Sequence, residues 1–176
     1  MKLTLLLIIL CAGLYPLFIS AIGKTAPGGG EGKKITLNGK VVGYENIGQK
    51  FTEDKYFQGR PSAVDYNAAG SGGSNKGPSN PGYLKTVQDR IDTFLLHNPG
   101  IRKQDIPADL VTASASGLDP HISPASAYIQ VKRIAALRKL DETKLKELVD
   151  RHVEKVVFGP SVVNVLKLNI DLDTLK

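Results

Sequence analysis

From Leu3 to Ile22 the chain runs for 20 residues without a charged side chain (LTLLLIILCAGLYPLFISAI). At ~1.5 Å rise per residue, a helix of that length spans about 30 Å, the thickness of a bilayer's hydrocarbon core. Its seven Leu, four Ile and one Phe supply about −4 to −7 kcal/mol of insertion free energy before the polar and Gly/Pro penalties. Pro16 removes one backbone hydrogen bond and predicts a kink, which membrane helices tolerate. Ala21 and Gly23 are small residues spaced like a signal-peptide cleavage site. The apolar stretch is nevertheless longer than the ~7–15 residues of a signal, which favours an uncleaved anchor. Either reading sends the rest of the chain to a membrane or across it. Lys2 on one flank, against Lys24, Lys33, Lys34 and Lys40 on the other, would keep the following domain in the cytoplasm by the positive-inside rule. A long domain translocates largely regardless of its charge, so the rule does not fix the side. Cys11, the single cysteine, lies inside the run, so the chain can form no intramolecular disulfide and no thiolate cluster.

The remainder folds. The chain is 41% hydrophobic and 23% charged, too apolar for a disordered tail and long enough for one ordinary domain. Without Lys2 and Lys24, 21 basic side chains face 17 acidic ones, an excess of +4 with no Lys/Arg block longer than two. That thin spread, without interleaved aromatics, excludes a nucleic-acid surface.

Local patterns give an α+β fold class: one N-terminal transmembrane helix followed by a single mixed α/β soluble domain. Residues 1–24 are the helix with its flanks, 25–34 (TAPGGGEGKK) a Gly-rich tether, and 35–176 the soluble domain. Asn38-Gly39 between apolar alternations predicts a hairpin over Ile35–Val42. Phe51 to Phe57 supplies aromatic positions to pack on the core. Between Gly59 and Gly82, 16 of 24 residues are Gly, Ser, Asn or Pro, too long a gap for a routine connection. Asn80-Pro81 and Ser123-Pro124 read as a helix cap with the first helical residue, and Asp141 caps a third helix. Their apolar stripes are Leu84, Val87, Ile91, Phe94 and Leu95; then Tyr128, Val131, Ile134, Ala135 and Leu137; then Leu145, Leu148, Val149 and Val153. Asp109–Ala115 (DLVTASA) and the alternating Leu166–Asp173 (LKLNIDLD) predict strands. No repeat of ~20–50 residues is present, which excludes a solenoid or propeller.

Motifs for chemistry fail one after another. Gly72 and Gly77 have the glycine spacing of a phosphate loop, but Pro78 stands where Lys is needed. Gly70 and Gly72 open a dinucleotide-like pattern that Asn75 breaks. No Gly-x-Ser-x-Gly elbow presents Ser114 or Ser116 as a nucleophile. His97, His121 and His152 lack partners at helical metal spacing. Asp119 and His121 share a turn of the kind that starts a helix. No self-contained active site emerges. The Gly/Ser/Asn loop, Gly70, Ser71, Gly72, Gly73, Ser74 and Asn75, therefore reads as a partner-binding loop on a rigid scaffold.

Three blocks give the chain a family resemblance: Phe51–Pro81 (FTEDKYFQGRPSAVDYNAAGSGGSNKGPSNP), Asp109–Ala135 (DLVTASASGLDPHISPASAYIQVKRIA) and Val162–Asp173 (VVNVLKLNIDLD). With Gly13-Leu14-Tyr15-Pro16 in the apolar run, their order resembles the C-chain family of the Kdp potassium-transporting ATPase over almost the whole length. The resemblance implies a non-catalytic subunit of a bacterial inner-membrane complex, required for its assembly and activity. Its partners would be a channel-like A subunit that carries potassium, a P-type B subunit that hydrolyses ATP, and a small F subunit. It implies a single-pass protein with its soluble domain on the extracytoplasmic side. It implies no resident cofactor: ATP belongs to the complex, and potassium is the transported ion. The alternative role attached to the family is a catalytic chaperone that raises the ATP affinity of the B subunit. Carried over by position, that idea falls on Ser116, Gly117 and Gln130. The bland reading is a structural corner, with Gly117 in an unusual backbone conformation and Gln130 on the surface. The chain departs from the resemblance in its short, Gly/Lys-rich Thr25–Lys50 stretch and at Lys167, where an acidic residue is common.

Overall fold

The computed structural model describes residues 1–175; Lys176, the last residue of the expected 35–176 domain, lies outside them. The described chain forms two compact units, one spanning Met1–Tyr44 and a second beginning at Glu45.

The first unit opens with helix α1, Lys2–Gly23, 22 residues with a mean hydropathy of 2.5 and no part of it buried. By length and composition it can cross a membrane. Pro16 leaves its mark as a π-helical stretch, Ile9–Leu14, one residue before Tyr15-Pro16. Proline lacks the N–H that would reach Ala12 and its ring crowds that carbonyl, and a wider turn accommodates both. After the glycine-rich turns, β1 (Lys34–Leu37) and β2 (Lys40–Tyr44) pair antiparallel. Asn38 and Gly39 adopt φ of +51° and +77°, the two left-handed residues that a type I′ turn requires. The predicted hairpin is present, with a bulge between Ile35 and Thr36.

In the second unit the three helix caps stand where the sequence puts them. Helix α2 is Pro81–His97, capped by Asn80 Oδ1 accepting from Tyr83 N–H at 3.0 Å. Helix α3 is Pro124–Arg138, capped by Ser123. Helix α4 is Glu142–His152, and Asp141 accepts from Thr143 and Lys144 N–H at 2.8 and 3.0 Å. Helix α2 buries only Phe94 fully, and Leu84 of its predicted stripe is exposed. Three short strands form an antiparallel sheet in the order β3 (His121–Ile122), β5 (Val162–Asn164), β4 (Val153–Glu154).

Two expected strands are not strands. Leu166–Asp173 belongs to a helix, α5 (Val165–Thr174), capped by Asn164 Oδ1 accepting from Lys167 N–H at 3.1 Å. Its buried positions Val165, Leu168, Asn169 and Leu172 recur at helical spacing. The leucine alternation concealed that Asn169 belongs to the inner face. Asp109–Ala115 is a short 3₁₀ turn, Ala108–Leu110, followed by irregular chain. There the Asp109 carboxylate accepts from Ser123 N–H (2.7 Å) and Ser126 Oγ (2.6 Å), and Ser114 N–H goes to Pro61 O (3.3 Å). The Pro61 carbonyl and the Arg90 guanidinium, which donates to Val111 O at 3.0 Å, take the place of ladder partners.

The core gathers Phe57, Ile122, Val131, Ile134, Leu145, Val149, Val163 and Leu168, with Phe51 and Tyr56 packed against it. Phe57 is thus where the aromatic stretch enters, as expected. Its extended backbone is held by two side-chain amides instead of a strand. Asn169 accepts from Phe57 N–H and donates to Phe57 O, both at 2.9 Å. Gln130 does the same for Gln58, at 2.8 and 3.2 Å. These pairs satisfy backbone groups that would otherwise be buried unpaired.

Candidate functional site

The Gly/Ser/Asn loop and the SGLDP turn, 40 residues apart in the chain, come together around Ser62. Its hydroxyl donates to Gly117 O at 2.7 Å and accepts from Val64 and Tyr66 N–H at 3.2 and 2.9 Å. Ser116 O accepts both Ser71 Oγ (3.0 Å) and Gly72 N–H (2.9 Å), stitching the loop to the turn. Gly73 lies so close that a Cβ on it would stand 3.0 Å from Ala115 O. Gly117 has φ of +68°, and a Cβ there would meet Val64 Cγ2 at 2.6 Å and Gly72 O at 2.8 Å. Glycine is needed at that position for both reasons. Asp65 and Tyr66 also sit at positive φ, +51° and +58°, a conformation that costs residues with a Cβ about 1 kcal/mol or more each and persists only when neighbours enforce it. Here the Ser62 hydroxyl and a short hydrogen bond from Tyr66 OH to Arg60 O enforce it.

An ion pair closes the knot: Arg60 Nη1 lies 3.1 Å from Asp119 Oδ2. Asp119 Oδ1 accepts His121 N–H at 3.0 Å, so the carboxylate that could have served a cation is already neutralised and hydrogen-bonded. Partial burial would raise the Asp119 carboxyl, but hydrogen bonds from His121 and the Arg60 guanidinium outweigh it and hold the group below its ordinary value. Burial, with Asp119 adding to it, pushes the Tyr66 phenol up to about 12, so it stays a donor at any physiological pH. Because the folded state holds Asp119 below its unfolded value near ~3.9, its contribution to stability is complete above that value and is lost as pH falls through the folded one. Thermal melts from neutral pH to pH ~3 should therefore show Asp119→Asn less stable at neutral pH, with the difference from the parent chain closing in acid.

Of the residues carried over for a nucleotide, Ser116 and Gly117 share the turn, and Gln130 is elsewhere. Gly117 N–H donates to Ser114 Oγ at 2.9 Å and Leu118 N–H to Ser116 Oγ at 3.1 Å. These two N–H groups are thus engaged within the turn. Gln130 is fully buried, not on the surface. Its amide serves Gln58 and Ser126 O, and accepts from Arg133 Nη2 at 2.8 Å. Ser74 and Asn75 are exposed at the loop's outer edge, Asn75 at φ of +53°. Arg60, Ser62, Tyr66 and Asp119 lie inside the motifs of the family resemblance, and the structure shows that they organise the site. The available signal was their company: an arginine and a tyrosine amid Gly, Ser and Pro.

Beside the knot is a groove of about 540 Å³ whose walls include Lys50, Gly59, Arg60, Ser62, Tyr66 and Arg90. Arg60 Nε is buried without a hydrogen-bond partner among the described residues. Among those residues, no group of three His, Cys, Asp or Glu side chains is placed to hold a metal ion.

The three blocks that build this knot and its clamps are the ones that carry the family resemblance. The family model described as K+-transporting ATPase, c chain, matches residues 1–174. The chain is 62% identical over 176 residues to the potassium-transporting ATPase KdpC subunit of Flavobacterium johnsoniae, covering 100% of this chain and 96% of that one. It is 60% identical to the subunit of the same name from Flavobacterium psychrophilum, with 100% and 96% covered. With that of Caldanaerobacter subterraneus subsp. tengcongensis it shares 48%, over 97% of this chain and 91% of the relative. A match over essentially the full length at these identities carries the conclusion: the chain belongs to the KdpC family, the c chain of the K+-transporting ATPase.

Proposed function

We propose that this chain is the non-catalytic assembly subunit of an ATP-driven potassium uptake complex. Its apolar helix α1 would cross the bacterial inner membrane once, and the unit beginning at Glu45 would stand on the extracytoplasmic side. There it would dock on the channel-like A subunit and stabilise the association of the ATP-hydrolysing B and small F subunits. The observation that carries this reading is the knot itself. Ser62, Ser71, Gly72 and Gly117 hold the loop rigidly to the turn, and Ser74 and Asn75 remain exposed at its rim. A polar loop pinned through Ser71 and Gly72, with its outer residues exposed, suits recognition of a partner surface.

A bulky substitution at the exposed rim tests the reading without touching the fold. Ser74→Trp should abolish co-purification with the channel-like subunit while the purified chain melts within a degree or so of the parent, since surface changes rarely cost more than ~0.5 kcal/mol. Unimpaired co-purification would remove the docking assignment.

A further inference from the structure

One surface feature plays no part in the knot. Strands β4 and β5 are joined by residues 155–161 (KVVFGPS), and three consecutive apolar side chains stand out at the tip: Val156, Val157 and Phe158 are 50%, 87% and 96% exposed. Core packing does not account for them, because they touch no core. Isolated exposed leucines are ordinary, but a contiguous apolar projection marks a contact surface. The segment carries one charge, Lys155, and no acidic residue.

Its place in the fold points to what it meets. Lys167 Nζ on α5 makes a short ion pair with Glu45 and lies 3.3 Å from Glu154. Glu154 is the last residue of β4, at the base of the projecting loop. Glu45 is the first residue of the second unit, the point from which the chain runs back through the β2–β1 hairpin and the Gly-rich turns to α1. One lysine thus joins the base of the apolar tip to the end of the unit where the chain arrives from its membrane helix.

We propose that the 156–158 tip inserts into the bilayer interface, Val157 and Phe158 entering the headgroup–acyl boundary by ~5–10 Å, as interfacial apolar anchors do. Lys155 would lie at the level of anionic headgroup phosphates, where a basic side chain is attracted to the membrane surface. The tip is then a second contact between this subunit and the membrane. The proposal rests on α1 occupying the bilayer and is independent of which side the unit occupies.

The chain has no tryptophan, so Phe158→Trp gives a single reporter in the full-length protein. Reconstituted into vesicles of phosphatidylethanolamine and phosphatidylglycerol, that residue should emit to the blue of a water-exposed tryptophan. It should also lose intensity when the lipids carry brominated acyl chains, and Val157→Trp should do the same. Emission at the water-exposed wavelength, unquenched by brominated lipid, would overturn the proposal. Blue-shifted but unquenched emission would place the tip against protein and overturn it equally. Alkaline carbonate extraction of the same vesicles separates the two claims. Retention of the chain without quenching refutes the tip alone, whereas release of the chain refutes the anchor and the tip together.

Discussion

Replacing Gly117 by alanine should destabilise the chain by about 2–5 kcal/mol, the sum of a left-handed backbone penalty and an overpacked contact. At φ of +68° the new methyl would stand 2.6 Å from Val64 Cγ2, 2.8 Å from Gly72 O and 3.2 Å from Ser62 Oγ. Two of those neighbours are the stitches of the knot, so relief of the clash must push the 70–75 loop off the turn. Denaturant melts of the purified chain give the stability change, and co-purification with the other subunits should fall in parallel. Gly70→Ala and Gly77→Ala provide the contrast, because a Cβ on either meets nothing within 4 Å. Equal stability of all three variants would show that the turn is not held as described.

Gln130→Leu should cost a similar amount, about 2–5 kcal/mol, because it leaves Gln58 N–H and O without their partners and weakens the setting of Arg133. Each unsatisfied buried group accounts for roughly 1–3 kcal/mol. The amide is fully buried and engaged on every side. A loss of stability measured without nucleotide identifies a structural role. Unchanged stability combined with a lost effect of the chain on ATP affinity of the complex would restore the nucleotide reading. Asn169→Leu should behave in the same way through Phe57, which it holds by two 2.9 Å hydrogen bonds.

These two residues also mark the boundary of what the sequence made legible. Local signals with a local cause survived: the Asn80-Pro81, Ser123-Pro124 and Asp141 caps, the Asn38-Gly39 turn, and the apolar helix. Each depends on atoms within a few residues of one another. The failures share the opposite property. Leu166–Asp173 alternates like a strand, yet Asn169 faces inward because it serves Phe57, 112 positions away. Asp109–Ala115 has strand-forming residues whose backbone partners lie in the Pro61 loop and at Arg90 of α2, while the Asp109 carboxylate reaches the start of α3. The Gly/Ser/Asn loop was recognisable as unusual, but its rigidity comes from Ser62, Arg60, Tyr66 and Asp119. Nothing in a single sequence ties those positions together. Lys167, an oddity when read along the chain, is explained by Glu45 and Glu154 on either side of it. Its ammonium pKa is raised, first by the hydrogen bond to Glu45, so the bridge is charged at neutral pH.

The central claim is that the knotted loop is an extracytoplasmic docking surface. Ser74→Cys tests it directly: the position is exposed at the rim of the loop, and the native Cys11 lies within helix α1. Intact cells would be treated with a membrane-impermeant maleimide, with the chain expressed alone or together with the channel-like subunit. The account predicts labelling of the chain alone and protection when the channel-like subunit is present. Labelling only after the cells are permeabilised would put the loop on the cytoplasmic side, and equal labelling in both cultures would show that nothing docks there; either result contradicts the account.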